Sequence, residues 1–509
     1  MNNNLALNYE PQRALLQANL DSGKSSLERN RLGQFSTPPS LAKDIIDYAL
    51  EILACKEINF LDPAFGTGTF YSALISAAHD NNLGKCVGYE IDEHYANPTR
   101  QLWDNHELDI RVHDFTKAKP DIGFNLVVCN PPYVRHHHLA NSEKKRFKKE
   151  IKFLFDYSIS GLSGLYCYFM LMAHQWMAKN AVAAWLVPSE FMDVNYGNVV
   201  KQYLRNNVTL LRIHRFNPSE LQFNDALVTS SVVWFRNEKP KDSLDVEFSY
   251  GGTHKEPKTR IIVDSQQLIP SAKWSHFSQK RQTKASNEIT LADMFKIRRG
   301  IATGCNDFFI LTRQEIKKFD LPLDMFRPIL PSPRYLKNDI VETDNNGMPQ
   351  IDNPMFLLDC RLSEDEIRIM HPNISTYLES GKNEIASRYL CRTKNIWYLQ
   401  ESREPTPFLC SYMGRSSKSS SSPIRFILNY SNAIAANSYL MLYLKPEYKN
   451  KYSDKKKFLH EIWSALQEIT TESLLSEGRV YGGGLHKMEP KELAKVPATS
   501  IAKLLKITA

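Results

Sequence analysis

The apolar run Ile58–Leu61 passes directly into Asp62-Pro63-Ala64-Phe65-Gly66-Thr67-Gly68 and then into the helical spacing of Phe70–Ala78. This strand, glycine turn and helix is the feature that most limits the fold, because the same alternation continues along the chain. Cys86–Ile91, Ile110–His113, Phe124–Cys129 and Ala181–Val187 read as further strands, and Val228–Phe235 as a late β-branched one. Leu41–Ile52, after the helix-starting Pro38-Pro39, and Leu165–Met177 read as helices. Strands alternating with helices predict an α/β fold with a doubly wound, mostly parallel sheet.

The pattern loosens after residue 245. Gly251-Gly252, Pro257 and the polar run Ser278–Asn287 read as a linker, and residues 290–509 as a separate mixed domain with a flexible loop at Ser416–Ser422. A chain of 509 residues accommodates this division. The net charge of +8 permits an acidic partner without requiring one. Eight cysteines stand far apart with no Cys-x-x-Cys pair, which argues against a disulfide framework or zinc ribbon and fits a reducing cytoplasm. No signal peptide is visible at the N-terminus. The longest apolar segment, Leu165–Val187, is interrupted by His174, Gln175 and Lys179, so no membrane span is expected.

The glycine turn lets the backbone approach a ligand, and the helix behind it offers N-terminal N–H groups. Glu90, ending the next strand, is a carboxylate placed to grip a ribose diol. Asp114-Phe115, after a third strand, can hold an adenine amino group and ring. Asn130-Pro131-Pro132-Tyr133, at the end of Leu126–Cys129, is more specific. Two successive prolines fix φ and leave the Pro131 carbonyl without a sheet partner. That carbonyl and the Asn130 side-chain oxygen both accept hydrogen bonds, which suits an exocyclic amine with two N–H bonds to donate. Tyr133 offers a flat face for stacking.

Taken in this order, these motifs resemble those of the S-adenosylmethionine-dependent amino-methyltransferases, above all the DNA adenine-N6 methyltransferases. Gly33-Gln34-Phe35-Ser36-Thr37-Pro38 looks like that family's methionine-side motif, and Leu165–Phe169 like the helix whose Phe lines the cofactor pocket. Val187–Phe191 is similar to a structural motif late in the sheet, and Phe223, before Val228–Val233, to the aromatic that stacks on the target base. Catalytic motifs ahead of a recognition domain is the arrangement of the gamma, TaqI-like group. Arg299–Gly304 and Gly482–Lys487 look like its recognition segments. Ala226 departs from the pattern, since some relatives place a Lys there.

The resemblance implies a Rossmann-like methyltransferase domain over residues 1–245, a linker over 246–289 and a mixed α/β DNA-recognition domain over 290–509. It implies S-adenosylmethionine held by Thr37, Pro38, Asp62, Ala64, Gly66, Gly68, Glu90, Asp114, Phe115, Asn130 and Phe169, with no metal. Direct methyl transfer would occur at Asn130, Pro131, Pro132 and Tyr133. The substrate would be an adenine flipped out of double-stranded DNA and sandwiched between Tyr133 and Phe223. The expected setting is the cytoplasm, as the modification enzyme of a type II restriction–modification system whose endonuclease is a separate protein, or as an orphan. Size and phrasing look somewhat like the PstI/BsuBI-type methylases, whose target would be CTGCAG.

Other readings stay open at this point. Protein glutamine methyltransferases also use Asn-Pro-Pro-Tyr, but on shorter chains without a basic C-terminal domain. Cytosine-N4 enzymes use similar acceptors, more often with Ser at the position of Asn130. Intact Asp62, Glu90 and Asn130 argue against a non-catalytic DNA-binding relic. His136-His137-His138 reads as a polar loop beside the substrate. Lys144-Lys145-Arg146, Lys148-Lys149, Arg298-Arg299, Arg415 and Lys418 are candidate DNA contacts.

Overall fold

The computed structural model describes residues 3–78, 82–121, 123–217, 229–278, 288–415, 422–449, 454–481 and 484–507. The chain forms two compact units, Met1–Gln282 with Tyr481–Gly483, and Thr283–Val480 with Gly484–Ala509.

The first unit is built on nine strands: β1 (Glu57–Asp62), β2 (Asn82–Glu90), β3 (Leu108–Val112), β4 (Phe124–Cys129), β5 (Met177–Pro188), β6 (Thr209–Arg215), β7 (Ser230–Arg236), β8 (Asp245–Gly252) and β9 (Pro257–Asp264). They lie in the order β3-β2-β1-β4-β5-β7-β6-β8-β9. Neighbours from β3 to β5 are parallel, and β7 runs antiparallel between β5 and β6. The strand order reverses between β1 and β4. The carboxyl ends of these strands, Asp62 and the residue after Cys129, therefore flank the crevice where open α/β sheets bind ligands.

Eight helices complete this unit: α1 (Asn3–Ser22), α2 (Ser26–Leu32), α3 (Pro39–Leu53), α4 (Thr69–Ala77), α5 (Glu93–Leu102), α6 (Asn141–Phe155), α7 (Leu165–Met172) and α8 (Asn198–Asn206). Both faces of the central strands are covered. Leu126 and Val128 of β4 pack with α3 and α4, while Val127 and Cys129 pack with α7 and α8. Apolar residues on both faces explain why these strands read as continuous apolar runs. In α3, Leu41, Ala42, Ile45, Ile46 and Ala49 form the buried stripe, a 3.6-residue period that was legible in the sequence.

Two expectations change. The segment read as a linker from 246 carries β8 and β9, which pair antiparallel at the edge of the sheet, so the first unit runs to Gln282. Gly251 and Gly252, at φ +66° and +65°, end β8 where it turns back toward β9, and Pro257 opens the return strand. These chain breakers mark a hairpin. The helix expected over Leu165–Met177 stops at Met172, tightens into a 3₁₀ turn over Ala173–Trp176, and Met177 begins β5.

The second unit is mixed α/β, as expected of its irregular sequence. A five-stranded sheet joins Phe295–Arg299, Tyr439–Leu444, Phe408–Ser411, Phe426–Asn429 and Ile340–Val341; four-stranded and three-stranded sheets accompany it. Phe458, Ile462 and Leu466 of the helix Lys455–Gln467 pack on the largest sheet.

The ring of Phe65 lies against Gly88 of β2, where an added Cβ would fall 2.3 Å from its Cδ2. Gly88→Ala is expected to lower unfolding stability by ~1–3 kcal/mol through overpacking, measured by urea denaturation. An unchanged midpoint would show that the Phe65 ring moves aside freely.

Candidate active site

Asn130 follows the last residue of β4. Its amide nitrogen donates to the Phe35 carbonyl at 2.8 Å and to Thr37 Oγ1 at 3.0 Å. A backbone carbonyl only accepts, so the amide orientation is determined and Oδ1 faces away from both partners. Among the described residues Oδ1 is a buried acceptor without a hydrogen-bond donor. Buried polar atoms are rarely left so, and such an atom at the wall of a cavity marks where a ligand donor fits. No backbone N–H among the described residues donates to the Pro131 carbonyl either.

The loop is gripped from its other side. The Tyr133 amide donates to the Gly33 carbonyl at 3.1 Å. Gly33 has φ +67°, and a Cβ there would lie 2.4 Å from Tyr133 N, so no other residue allows this approach. The Tyr133 ring is 8% exposed, with its centroid 5.6 Å from that of Phe35. Its hydroxyl donates to the Leu186 carbonyl at 3.0 Å. Tyr133 is thus anchored by its far end, which fixes where its face points.

A cavity of about 810 Å³ opens beside this loop, within the range of cofactor pockets. Of the expected cofactor residues, Ala64, Gly66, Glu90, Asp114, Phe115, Asn130 and Phe169 line it, together with Pro132. Thr37, Pro38, Asp62, Gly68, Pro131 and Tyr133 are not in its wall. Thr37 holds Asn130, and Pro38 starts α3. Gly68, at φ +84°, leaves room for the Phe65 ring and starts α4. Phe223 lies outside the described residues.

Glu90 accepts the Gly66 amide at 3.0 Å and the Asp92 amide at 2.8 Å, which ties the glycine turn to the end of β2. Asp62 accepts the Ala64 amide at 3.0 Å and is 1% exposed. Burial pushes the Asp62 carboxyl up to about 8, with Glu90 nearby adding to the effect, and burial raises Glu90 too. Neither has an ion-pair partner among the described residues. Glu90 lines the cavity while Asp62 stands behind its wall, so Glu90 is the buried acceptor this turn offers to a ligand. Asp114 lines the cavity and also serves its own loop. Its Oδ1 caps the next turn, accepting the Thr116 amide at 2.9 Å and hydroxyl at 2.7 Å, and Oδ2 lies 3.3 Å from Lys117. Phe115 packs against Phe169 at 5.6 Å and Trp176 at 4.4 Å, so this end of the cavity is apolar.

The sequence reading missed the first two helices. Gln17, Asp21 and Lys24 line the cavity. Arg13, 2% exposed, donates to Thr67 Oγ1 at 2.7 Å and pairs with Glu10. One signal was available: Ser25-x-x-Glu28 is a capping box and Gly33 is the left-handed end of the same helix.

A doubly wound sheet with a cavity at its reversal point, bordered by an unfilled acceptor, fits a methyltransferase that uses S-adenosylmethionine. Comparisons agree. Residues 70–222 match the family model for the Eco57I restriction-modification methylase, and residues 272–508 that for the type II methyltransferase M.Eco57I C-terminal domain. Type II methyltransferase M.AccI of Acinetobacter calcoaceticus is 28% identical over 493 residues, covering 93% of this chain and 87% of its own. M.XamI of Xanthomonas campestris pv. amaranthicola is 25% identical over 490 residues, covering 93% and 86%. The solved type IIL restriction-modification enzyme MmeI in complex with DNA shares the fold at 13% identity and a TM-score of 0.54, covering 97% of this chain and 79% of that one. The chain belongs to the type II restriction–modification DNA methyltransferases, and its cofactor is S-adenosylmethionine.

The raised Asp62 carboxyl has a consequence for stability. Its folded value, about 8, lies above the ~3.9 of an unfolded chain. The folded state therefore favours the protonated form, and this contribution is complete below pH ~4 and lost as pH rises toward 8. Asp62→Asn, which stays neutral, is expected to gain stability relative to wild type across that window by ~1 kcal/mol or more. Parallel stability–pH curves in chemical denaturation would contradict the assignment.

Proposed function

We propose that this enzyme methylates N6 of an adenine flipped out of duplex DNA, as a gamma-group modification enzyme. The observation that carries the reading is the buried, unfilled Asn130 Oδ1 beside the Pro131 carbonyl. The N6 lone pair of adenine is delocalised into the ring, so the amine is a poor nucleophile. Accepting both N–H bonds at Asn130 and Pro131 favours a pyramidal nitrogen with its lone pair free. It also stabilises the positive charge that develops there. Bound cofactor supplies an already activated sulfonium methyl, so neither a covalent intermediate nor a general base is needed. Asn130 is held by Phe35 and Thr37 before substrate arrives, so little reorganisation is required. Glu90 would grip the ribose, and Phe115 and Phe169 would enclose the purine. Tyr133, anchored through Leu186, and Phe223 would sandwich the target base.

Target recognition is assigned to the second unit. Arg299 there lies 3.9 Å over the Tyr412 ring, with its Nε bonded to the Asn437 carbonyl at 3.0 Å, an exposed guanidinium held in one orientation. A separate cognate endonuclease and a cytoplasmic location complete the reading. Among the described residues no helix is long and apolar enough to cross a membrane.

Asn130→Ala should cut methyl transfer by ~3 kcal/mol or more in transition-state stabilisation, with cofactor affinity largely retained. Labelled cofactor, plasmid DNA and nucleoside analysis read both the rate and the product. Abundant N4-methylcytosine, or label in protein instead of DNA, would overturn the adenine assignment. A second expectation concerns α6, whose Lys145, Lys148 and Lys149 are exposed, while Arg146 is committed to Thr116 and Glu143. Reversing these three lysines to Glu should reduce the slope of log affinity against log salt by about 2–3, since each neutralised phosphate contributes about 0.9. An unchanged slope would make this face a merely solvated one.

A further inference from the structure

We infer that α1 and α2 complete the cofactor site, and that Asp21 and Lys24 recognise the amino-acid end of S-adenosylmethionine. In this arrangement the Asp21 carboxylate accepts from the ligand's ammonium, and the Lys24 ammonium donates to its carboxylate. Residues 3–32 lie outside both family matches, the earlier of which begins at residue 70, and the glycine-turn motifs do not account for them.

The cavity wall combines two kinds of side chain. Phe115, Phe147 and Phe169 suit a purine. Asp21 and Lys24 bring opposite charges, beside the lining residues Gln34 and Ser36 to which their contacts lead. Ser36 Oγ donates to Asp21 Oδ2 at 3.4 Å, and its neighbour Phe35 holds Asn130. Through Ser36, Asp21 is tied to the segment that positions Asn130, toward which the reacting sulfonium would have to face. Tyr95 joins the two residues: its hydroxyl donates to Asp21 Oδ1 at 2.8 Å, and Lys24 Nζ lies 5.1 Å over its ring. Lys24 also pairs with Asp92, which accepts from Gln34 at 2.8 Å. An opposed carboxylate and ammonium on one wall is the complement of a zwitterion.

The two helices are fastened mainly by directed polar contacts. Arg13 and Gln17 both bond to Thr67 at 2.7 Å, inside the glycine turn itself. His94 Nε2 meets the Leu20 carbonyl at 2.9 Å, and Arg29 bonds the Asp21 and Lys24 carbonyls. Thr67 thus links the position of α1 to the turn that faces the cofactor.

This inference rests on the cofactor and not on the target base, so it survives or fails independently of Asn130→Ala. The test is isothermal titration calorimetry of the full chain with two ligands. S-adenosylhomocysteine carries the amino-acid tail, and 5′-methylthioadenosine lacks it. Asp21→Asn and Lys24→Gln are each expected to weaken S-adenosylhomocysteine by about tenfold or more and 5′-methylthioadenosine by about twofold or less, the loss of a hydrogen bond to a charged group. Comparable losses for both ligands, or no loss for either, would overturn the proposal. Should a variant fail to fold, the wild-type chain decides. S-adenosylhomocysteine is expected to protect the bond after Lys24 from trypsin where saturating 5′-methylthioadenosine does not, and equal protection would overturn it.

Discussion

The site depends on one amide group being held still. Asn130 gives both N–H bonds to the segment at 35–37, and that commitment leaves its oxygen an acceptor with no donor among the described residues. The penalty of burying an unfilled acceptor is of order 1–3 kcal/mol. It is borne by the packing around it: Gly33 pressed against the Tyr133 backbone, the Tyr133 hydroxyl tied to Leu186, and β4 buried on both faces. The strand supplies the position, the preceding segment supplies the orientation, and the binding capacity left over is what the proposed function uses.

The second constraint is electrostatic. Asp62 and Glu90 are brought close by adjacent parallel strands, and burial disfavours the ionised form of both. Each carboxylate accepts backbone N–H groups, which partly offsets the cost and fixes the glycine turn in place. Asp62 thereby serves the turn in its neutral form, and Glu90 is left as the acceptor on the cavity wall.

The strand ends that border the cavity were legible, because Asn130 stands directly after β4 and Glu90 ends β2 in segments of distinctive residue type. An Asn before two prolines and a Glu ending the next strand have few alternative uses. Contacts that depend on distant partners were not legible. Arg13 has the composition of a surface residue and lies in a helix containing Pro11 with no strong apolar stripe, yet it is buried against Thr67 because the glycine turn needs a support on that side. The strands β8 and β9 were hidden by Gly251, Gly252 and Pro257, whose turn-forming role is the same in a linker and in a hairpin. Asp114 was assigned by position alone, and its nearest backbone N–H captured one oxygen for a cap. Thr37 reaches Asn130 from outside the cavity wall, a distinction of one side-chain length that no pattern of residue types encodes.

The bond from Asn130 to Phe35 spans 95 positions of chain. During synthesis at about 5–20 residues per second, the earlier partner waits roughly 5–20 s for the later one. Through that interval Gly33 has no Tyr133 to press against and Thr37 no amide to accept from. The segment at 33–37 therefore leaves the ribosome ahead of its partners, which arrive only once β4 has been made. The unfilled acceptor at Asn130 exists only after these two stretches of chain have met.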